Sequence, residues 1–437
     1  MAGLTFTYDP LNRLTELSTS TTPADDYRYT LGLTGNRTNA TEQSGRALAW
    51  NYDGIYRLTN ETINGDPANN SGNNGSATYT LDQVGNRTAA TSTLNGINPI
   101  SGSYNADDQL SSESYDANGN VLATGNMNYT YDSENHMTSA TGNGKTITMV
   151  YDAFGNRVAK TVNNVTTWYL VEDDVNPTGL PQVLEEKVGG AVQRVYTYGL
   201  QRISENQIFD NQGTASFYVY DGAGSVRQLT DSTGNVTDEY EYDAYGNSFT
   251  KQGTTPNNYL YRGEQYDSDL GLYYLRARYY NPATGRFLSR DPEDGDPINP
   301  ASLHKYLYAN GDPVNMLDPR GRAATIETIF TVSVISTPTE VALSTLAGQA
   351  LEAIALLQAG AGQVFLTTQY MLELVAAFVH ASGIEKFLVC TAGGLMLSQY
   401  LDEKHISGWD KVLVMGDYTA ACGIFYPAPG WPAGPNQ

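Results

Sequence analysis

The sequence predicts a mainly β protein: a long, curling sheet of repeated β-hairpins, followed by a small α-helical C-terminal domain. Its 437 residues include 32 Tyr and 43 Gly, a usage that suits strands joined by tight turns. A Tyr-Asp unit recurs along the first half of the chain and beyond. After Gly321 that unit stops, no arginine follows Arg322, and Ala, Leu, Val and Thr take over.

The unit appears as YDPLNRLTEL at Tyr8, YDGIYRLTNET at Tyr52, LDQVGNRTAAT at Leu81, YDANGNVLAT at Tyr115 and YDSENHMTSAT at Tyr131. It continues as YDAFGNRVAKT at Tyr151, YDGAGSVRQLTD at Tyr220 and YDAYGNSFTK at Tyr242. Repeats about twenty to thirty residues apart signal stacked supersecondary units. Alternation in runs such as TFTYD and YVYD puts every second aromatic on one face. A Gly-Asn or Asn-Arg pair is expected to supply the left-handed residues of a two-residue turn. One hairpin cannot bury its apolar face alone, so the units pair edge to edge into a long, curling, Tyr-lined sheet. The Asn-x-Ser/Thr triplets at Asn36, Asn86 and Asn235 follow from an Asn- and Thr-rich composition and carry no separate message.

Length leaves room for two or more domains, or for one array with a tail. A net charge of -22 and a pI near 4.4 make the main body repel phosphates, which excludes nucleic-acid binding through it. Cys390 and Cys422 are the two cysteines, both in the tail, so no disulfide or Cys-rich zinc framework organises the array. No metal-ligand spacing and no phosphate-cradling Gly loop is present, so no metal or cofactor is expected. The start, MAGLTFTYDPLNRLTEL, lacks a basic and apolar leader and falls within a repeat unit, as in a fragment or a product without an ordinary secretion signal.

The string YLYRGEQYDSDLGLYYLRARYYNPATGRFLSRDP, Tyr259 to Pro292, and the following YLYANGDPVNMLDPRG resemble the repeat-associated core of the Rhs/YD-repeat family, and the resemblance spans about residues 5–322. It implies a ribbon of strands spiralling into a hollow shell: a hairpin array over 1–258, a core over 259–322 that closes one end, and a variable tail over 323–437. Family members belong to secreted toxin systems, insecticidal toxin complexes and cell-surface proteins. The resemblance therefore implies a secreted or surface location, with the tail, a toxin or effector, as enclosed cargo. Secretion machinery, an immunity protein or surface glycans are the implied partners. A full shell in the family uses more repeats than this chain has, so an open cup is expected.

The resemblance further implies that the core is an aspartyl autoprotease that frees the tail just after a D-P-x-G motif. Such chemistry needs two carboxylates sharing one proton: the ionised one draws a proton from water and the other donates to the scissile amide. Asp291 and Asp318 match the motif positions, with cleavage between Arg322 and Ala323. Asp296 competes with Asp291, since spacing favours Asp296 and context favours Asp291. Pro after each Asp displays the carboxylate from a stiff backbone. Arg290 is the expected charge partner of Asp291, which requires the chain to turn there, and Arg286 is a second candidate. The family's usual apolar residue after D-P-x-G is replaced by Arg322. Read from residue types alone, four Asp-Pro pairs form a solvated turn-rich connector, and His304 is a structural histidine.

In the tail, Thr339 to Gly362 and Gln363 to Gly383 have helical spacing ended by Gly clusters, and they read as buried helices rather than membrane spans. His380 or His405 could be set beside Cys390 or Cys422, with Asp410 and Asp417 near His405, but no nucleophile motif surrounds either cysteine. A second reading is an extracellular interaction protein whose Tyr-rich face binds partners or glycans without cleavage. A third, a pore-forming tail in contact with membrane, rests on the small-residue-rich helices.

Overall fold

Hairpin follows hairpin without a crossover. The computed structural model describes residues 4–326 apart from 22–24, 67–72, 175, 177, 210–211, 296–299 and 323. Within them a nine-stranded sheet runs from Leu4 to Ser101 and a fourteen-stranded sheet from Ser114 to Gln252. A four-stranded sheet from Gln265 to Phe287 and a two-stranded pairing of Met316–Leu317 with Thr325–Ile326 complete the β-structure. In every sheet the strands lie in chain order. The helical domain expected over 323–437, with both cysteines, lies outside the described residues apart from 324–326.

The aspartate of each Tyr-Asp pair builds the turn. Asp152 Oδ1 accepts the backbone N–H groups of Phe154 and Asn156, each at 2.9 Å, and the same pattern recurs at Asp9, Asp53, Asp82, Asp221 and Asp243. The carboxylate thus satisfies donors that the tight turn leaves without a ladder partner. Val150 pairs with Ala159 but Tyr151 pairs with Arg157, so the returning strand carries one extra residue, a bulge that strengthens local twist.

These turns differ from the expected two-residue type. Three residues separate Asp152 from Asn156, and of the Gly-Asn pair only Gly155, at φ 82°, is left-handed. Left-handed pairs do occur at the opposite ends of the hairpins, at Asn143-Gly144 and Asn163-Asn164, where the two-residue turn matches strand twist. The residue after the left-handed position has a separate task, which is to staple one turn to the next. Arg57 Nη1 donates to the Asp82 carbonyl at 2.9 Å, Asn86 Nδ2 to Asp108 at 2.7 Å and Asn156 Nδ2 to Asp173 at 2.6 Å.

The tyrosines of four Tyr-Asp pairs turn their hydroxyls back one hairpin. Tyr52 donates to the Arg37 carbonyl, Tyr151 to Met137, Tyr220 to Arg202 and Tyr242 to Val226, at 2.5 to 2.9 Å. A buried phenol so paired contributes its ring area without leaving a bare hydroxyl. The core segment packs against both large sheets: Tyr261, Tyr273, Tyr280 and Tyr308 join Tyr218, Tyr240 and Tyr242 in one cluster, Val314 joins Leu48, Tyr79 and Tyr245 in a second, and Leu272, Tyr279 and Leu288 meet Ile147 and Met149 in a third.

Charge is buried where the two large sheets meet. Glu42 accepts from Arg46 at 2.8 Å and from Arg227 at 2.9 and 3.1 Å, and these two arginines hold it below its usual value in spite of burial. Nearby, burial and then the charge of Asp243 push Glu61 up to about 7, while burial pushes Glu241 to about 7 and Asp243 to about 6. Glu61 ties the sheets together by accepting the Ala244 N–H at 2.9 Å.

Two outcomes are expected. Asp152→Ala removes an acceptor for two turn amides and should lower stability by roughly 1–2 kcal/mol in urea denaturation. An acid whose folded pKa is raised holds more protons folded than unfolded, so its contribution is full below the unfolded value and is lost as pH rises through the folded one. Melting temperature should therefore fall between about pH 5 and about pH 8, and Glu61→Gln should flatten that slope. A melting temperature that rises across this window would contradict the buried acid cluster.

Candidate functional site

The last strands of the core bring two aspartates onto one guanidinium. Arg278 opens the strand Arg278–Asn281, its guanidinium lies 3.6 Å over the Phe287 ring, and its side chain is 3% exposed. Arg278 Nη2 is 2.7 Å from Asp291 Oδ2 and 3.2 Å from Asp318 Oδ2. Two carboxylate oxygens on one nitrogen are necessarily close neighbours. Burial raises the Asp291 carboxyl, outweighing the pull of Arg278, and burial likewise draws Arg278 down against both acids.

Asp291 is positioned by its own N–H, which donates to the Lys305 carbonyl at 2.9 Å, and its Oδ1 accepts the Glu293 N–H at 2.9 Å. Asp318 repeats the device of the hairpin turns. Its Oδ1 accepts the N–H of Arg322, four residues on, at 2.9 Å, and Gly321 N–H closes onto the Asp318 carbonyl at 3.3 Å. The D-P-R-G motif is therefore an Asp-capped turn whose second carboxylate oxygen is left to meet Arg278. Asp318 is 2% exposed, whereas the Asp291 side chain keeps 14% exposure, so solvent reaches the pair from the Asp291 side.

Arg290, expected beside Asp291, is exposed; adjacent residues of an extended chain point apart, and the guanidinium on Asp291 is that of Arg278. Arg286 is buried elsewhere, bonded to Asn86 Oδ1 at 3.0 Å and to the Asp108 carbonyl. Asp296, the alternative to Asp291, and Ala323, on the far side of the expected cut, lie outside the described residues. Arg322 is described and exposed, with Glu293 at 3.7 Å. His304 is a structural residue: Nδ1 accepts the N–H groups of Tyr306 and Leu307 at 3.1 and 3.0 Å, which leaves Nε2–H to donate to Asn86 at 2.9 Å. Burial and then Arg286 hold it down to about 4. Among the described residues no three His, Cys, Asp or Glu side chains gather as a metal site would require.

Sequence reasoning missed Arg278, although it stands inside the quoted string LRARYY. What could have found it is its setting, a charged residue inside the apolar and aromatic string LRARYY. An arginine in such surroundings needs buried acid partners.

Gly321 adopts φ 64°, and a Cβ there would stand 2.4 Å from the Leu275 carbonyl oxygen. Gly321→Ala should open this turn, seen as faster limited proteolysis between Asp318 and Arg322, with about 1–3 kcal/mol of stability lost. Unchanged proteolysis would mean that the turn does not pack as described.

Comparison with known proteins adds the family. The family model described as Teneurin YD-shell matches residues 67–314. The tRNA3(Ser)-specific nuclease WapA of Bacillus spizizenii is 37% identical over 258 residues, 56% of this chain and 11% of that protein. The tRNA nuclease WapA of Bacillus subtilis is 36% identical over 255 residues, with the same coverage. The chain thus spans about a tenth of the length of these curated relatives. Among solved structures, the Tc holotoxin pore of Photorhabdus luminescens shares the fold, with a TM-score of 0.59 at 20% identity, over 74% of this chain and 18% of that one. With more than half of its residues inside the family model, and with Asp-capped hairpins throughout, the chain belongs to the Rhs/YD-repeat family and carries a Teneurin YD-shell domain.

Proposed function

We propose that this chain is a toxin-type scaffold of a secreted or surface-displayed protein, which carries a variable C-terminal effector and releases it by hydrolysing its own Arg322–Ala323 bond. The observation that carries the reading is the meeting of Asp291 and Asp318 on Arg278 Nη2, with Asp318 also bonded to the N–H of Arg322. An acid pair is thereby attached to the residue whose carbonyl would be attacked.

In this reading Asp291, raised by burial and open to solvent, keeps the shared proton, and Asp318 serves as the base. A water loses its proton to the base and attacks the Arg322 carbonyl carbon. The amide nitrogen of Ala323 gains a proton, and the C–N bond breaks to leave a carboxylate and a free amine. Arg278 holds both acids in place and offsets the charge they carry between them. Support for the scaffold itself comes from the YD-shell match, from the fold shared with the Tc toxin and from the likeness to WapA. The tyrosines that a glycan-binding face would use are mostly buried, so that reading gains no support from them.

Purified protein on a denaturing gel should show fragments of about 35 and about 12 kDa, in proportion to the residues on either side of the bond. Asp318→Asn and Asp291→Asn should each restore the full-length band, and Arg278→Lys should slow cleavage by about 10²-fold or more. A wild-type chain that stays whole on prolonged incubation removes the protease and leaves the scaffold.

A further inference from the structure

The two-residue turn joining the strands Leu272–Leu275 and Arg278–Asn281 lies directly on the D-P-R-G turn. Leu275 pairs with Arg278, so Arg276 and Ala277 are its central residues. Arg276 is left-handed at φ 60° while Ala277 is not. Turn chemistry reserves that first position for glycine, and a non-glycine residue held there costs of the order of 1 kcal/mol or more. Such strain persists where surrounding contacts over-determine it.

The contacts are specific. Arg276 Nη1 meets both oxygens of the buried Glu264 at 3.0 and 2.9 Å and also donates to the Pro319 carbonyl. Ala277 N–H donates to the Arg320 carbonyl at 3.3 Å, and Arg278 Nε donates to the Gly321 carbonyl. Three consecutive residues therefore grip three consecutive carbonyls, those of residues 319, 320 and 321, immediately before the bond assigned for cleavage. Fit is close enough that a Cβ on Gly321 would strike the Leu275 carbonyl.

We propose that Arg276, braced by Glu264, is a positioning residue for self-cleavage: it clamps the D-P-R-G turn so that the bond after Arg322 is presented to Asp291 and Asp318. Arg276 acts through backbone placement, by its hold on the Pro319 carbonyl, while Glu264 braces Arg276 and also bears on Asp318 through charge. This inference rests on the self-cleavage reading. It accounts for an arginine where glycine would be less strained. Glu264 is raised by burial, against the opposing charges of Arg276 and, more weakly, Arg202.

The test follows cleavage of the full-length chain in cell-free translation. Arg276→Gly removes the guanidinium and leaves Glu264 without that partner, a loss larger than the left-handed strain it relieves, so melting temperature should fall while the cleavage rate drops about tenfold or more. Guanidinium ion at low millimolar concentration should restore part of that rate, which a merely destabilised fold would not allow. Glu264→Gln should slow cleavage as well, with Glu264→Asp less impaired. Wild-type cleavage matched by Arg276→Gly overturns the clamp alone. A wild-type chain that never cuts overturns the self-cleavage reading, and the clamp with it.

Discussion

One carboxylate geometry recurs from the first hairpin to the last turn of the core. An aspartate at the end of a strand turns one oxygen onto the backbone N–H groups two and four residues ahead, as Asp152 does, and leaves its other oxygen for a side-chain partner. A meander this long has a tight turn at every second strand end, and amides in tight turns cannot all find ladder partners. Supplying the acceptor from the chain itself makes each hairpin locally complete. Neighbouring hairpins are then joined through Asn and Arg staples such as Asn156 to Asp173.

The candidate site uses the i+4 half of the same device. At Asp152 the second oxygen is used by Asn156 within its own turn, at 3.1 Å. At Asp318 the residue four places on is an exposed arginine, and the second oxygen meets Arg278 instead. Capping and ion pairing thus share one side chain, since the oxygen that holds Arg322 fixes the turn while the other meets Arg278 beside Asp291.

Burial in this protein is unusually polar, and that shapes its stability. Tyrosine rings fill the space between the sheets, and the hydroxyls of Tyr52, Tyr151, Tyr220 and Tyr242 are tied to carbonyls one hairpin back. Arginines lie against those rings, as Arg202 does over Tyr259 and Tyr198, where the ring quadrupole replaces part of the lost hydration. Acids enter the interior as partners of these arginines, at Glu42, Glu264 and Asp318. Such pairs are costly to bury and more costly to break, which favours one arrangement of sheets and core over slipped alternatives.

Read alone, the sequence determined the β class, the hairpin repeat and the family, because these depend on local chemistry: alternation, turn residues and motifs within a few positions of one another. The turn type was misjudged locally, since a Gly-Asn pair looks the same whether one residue or both are left-handed, and the Asp side chain decides between them. Arg278 and its separation from Arg290 were decided by tertiary structure. Residues forty apart, such as Arg278 and Asp318, meet only when the core strands pair, and no periodicity along the chain encodes which of several arginines will then face inward.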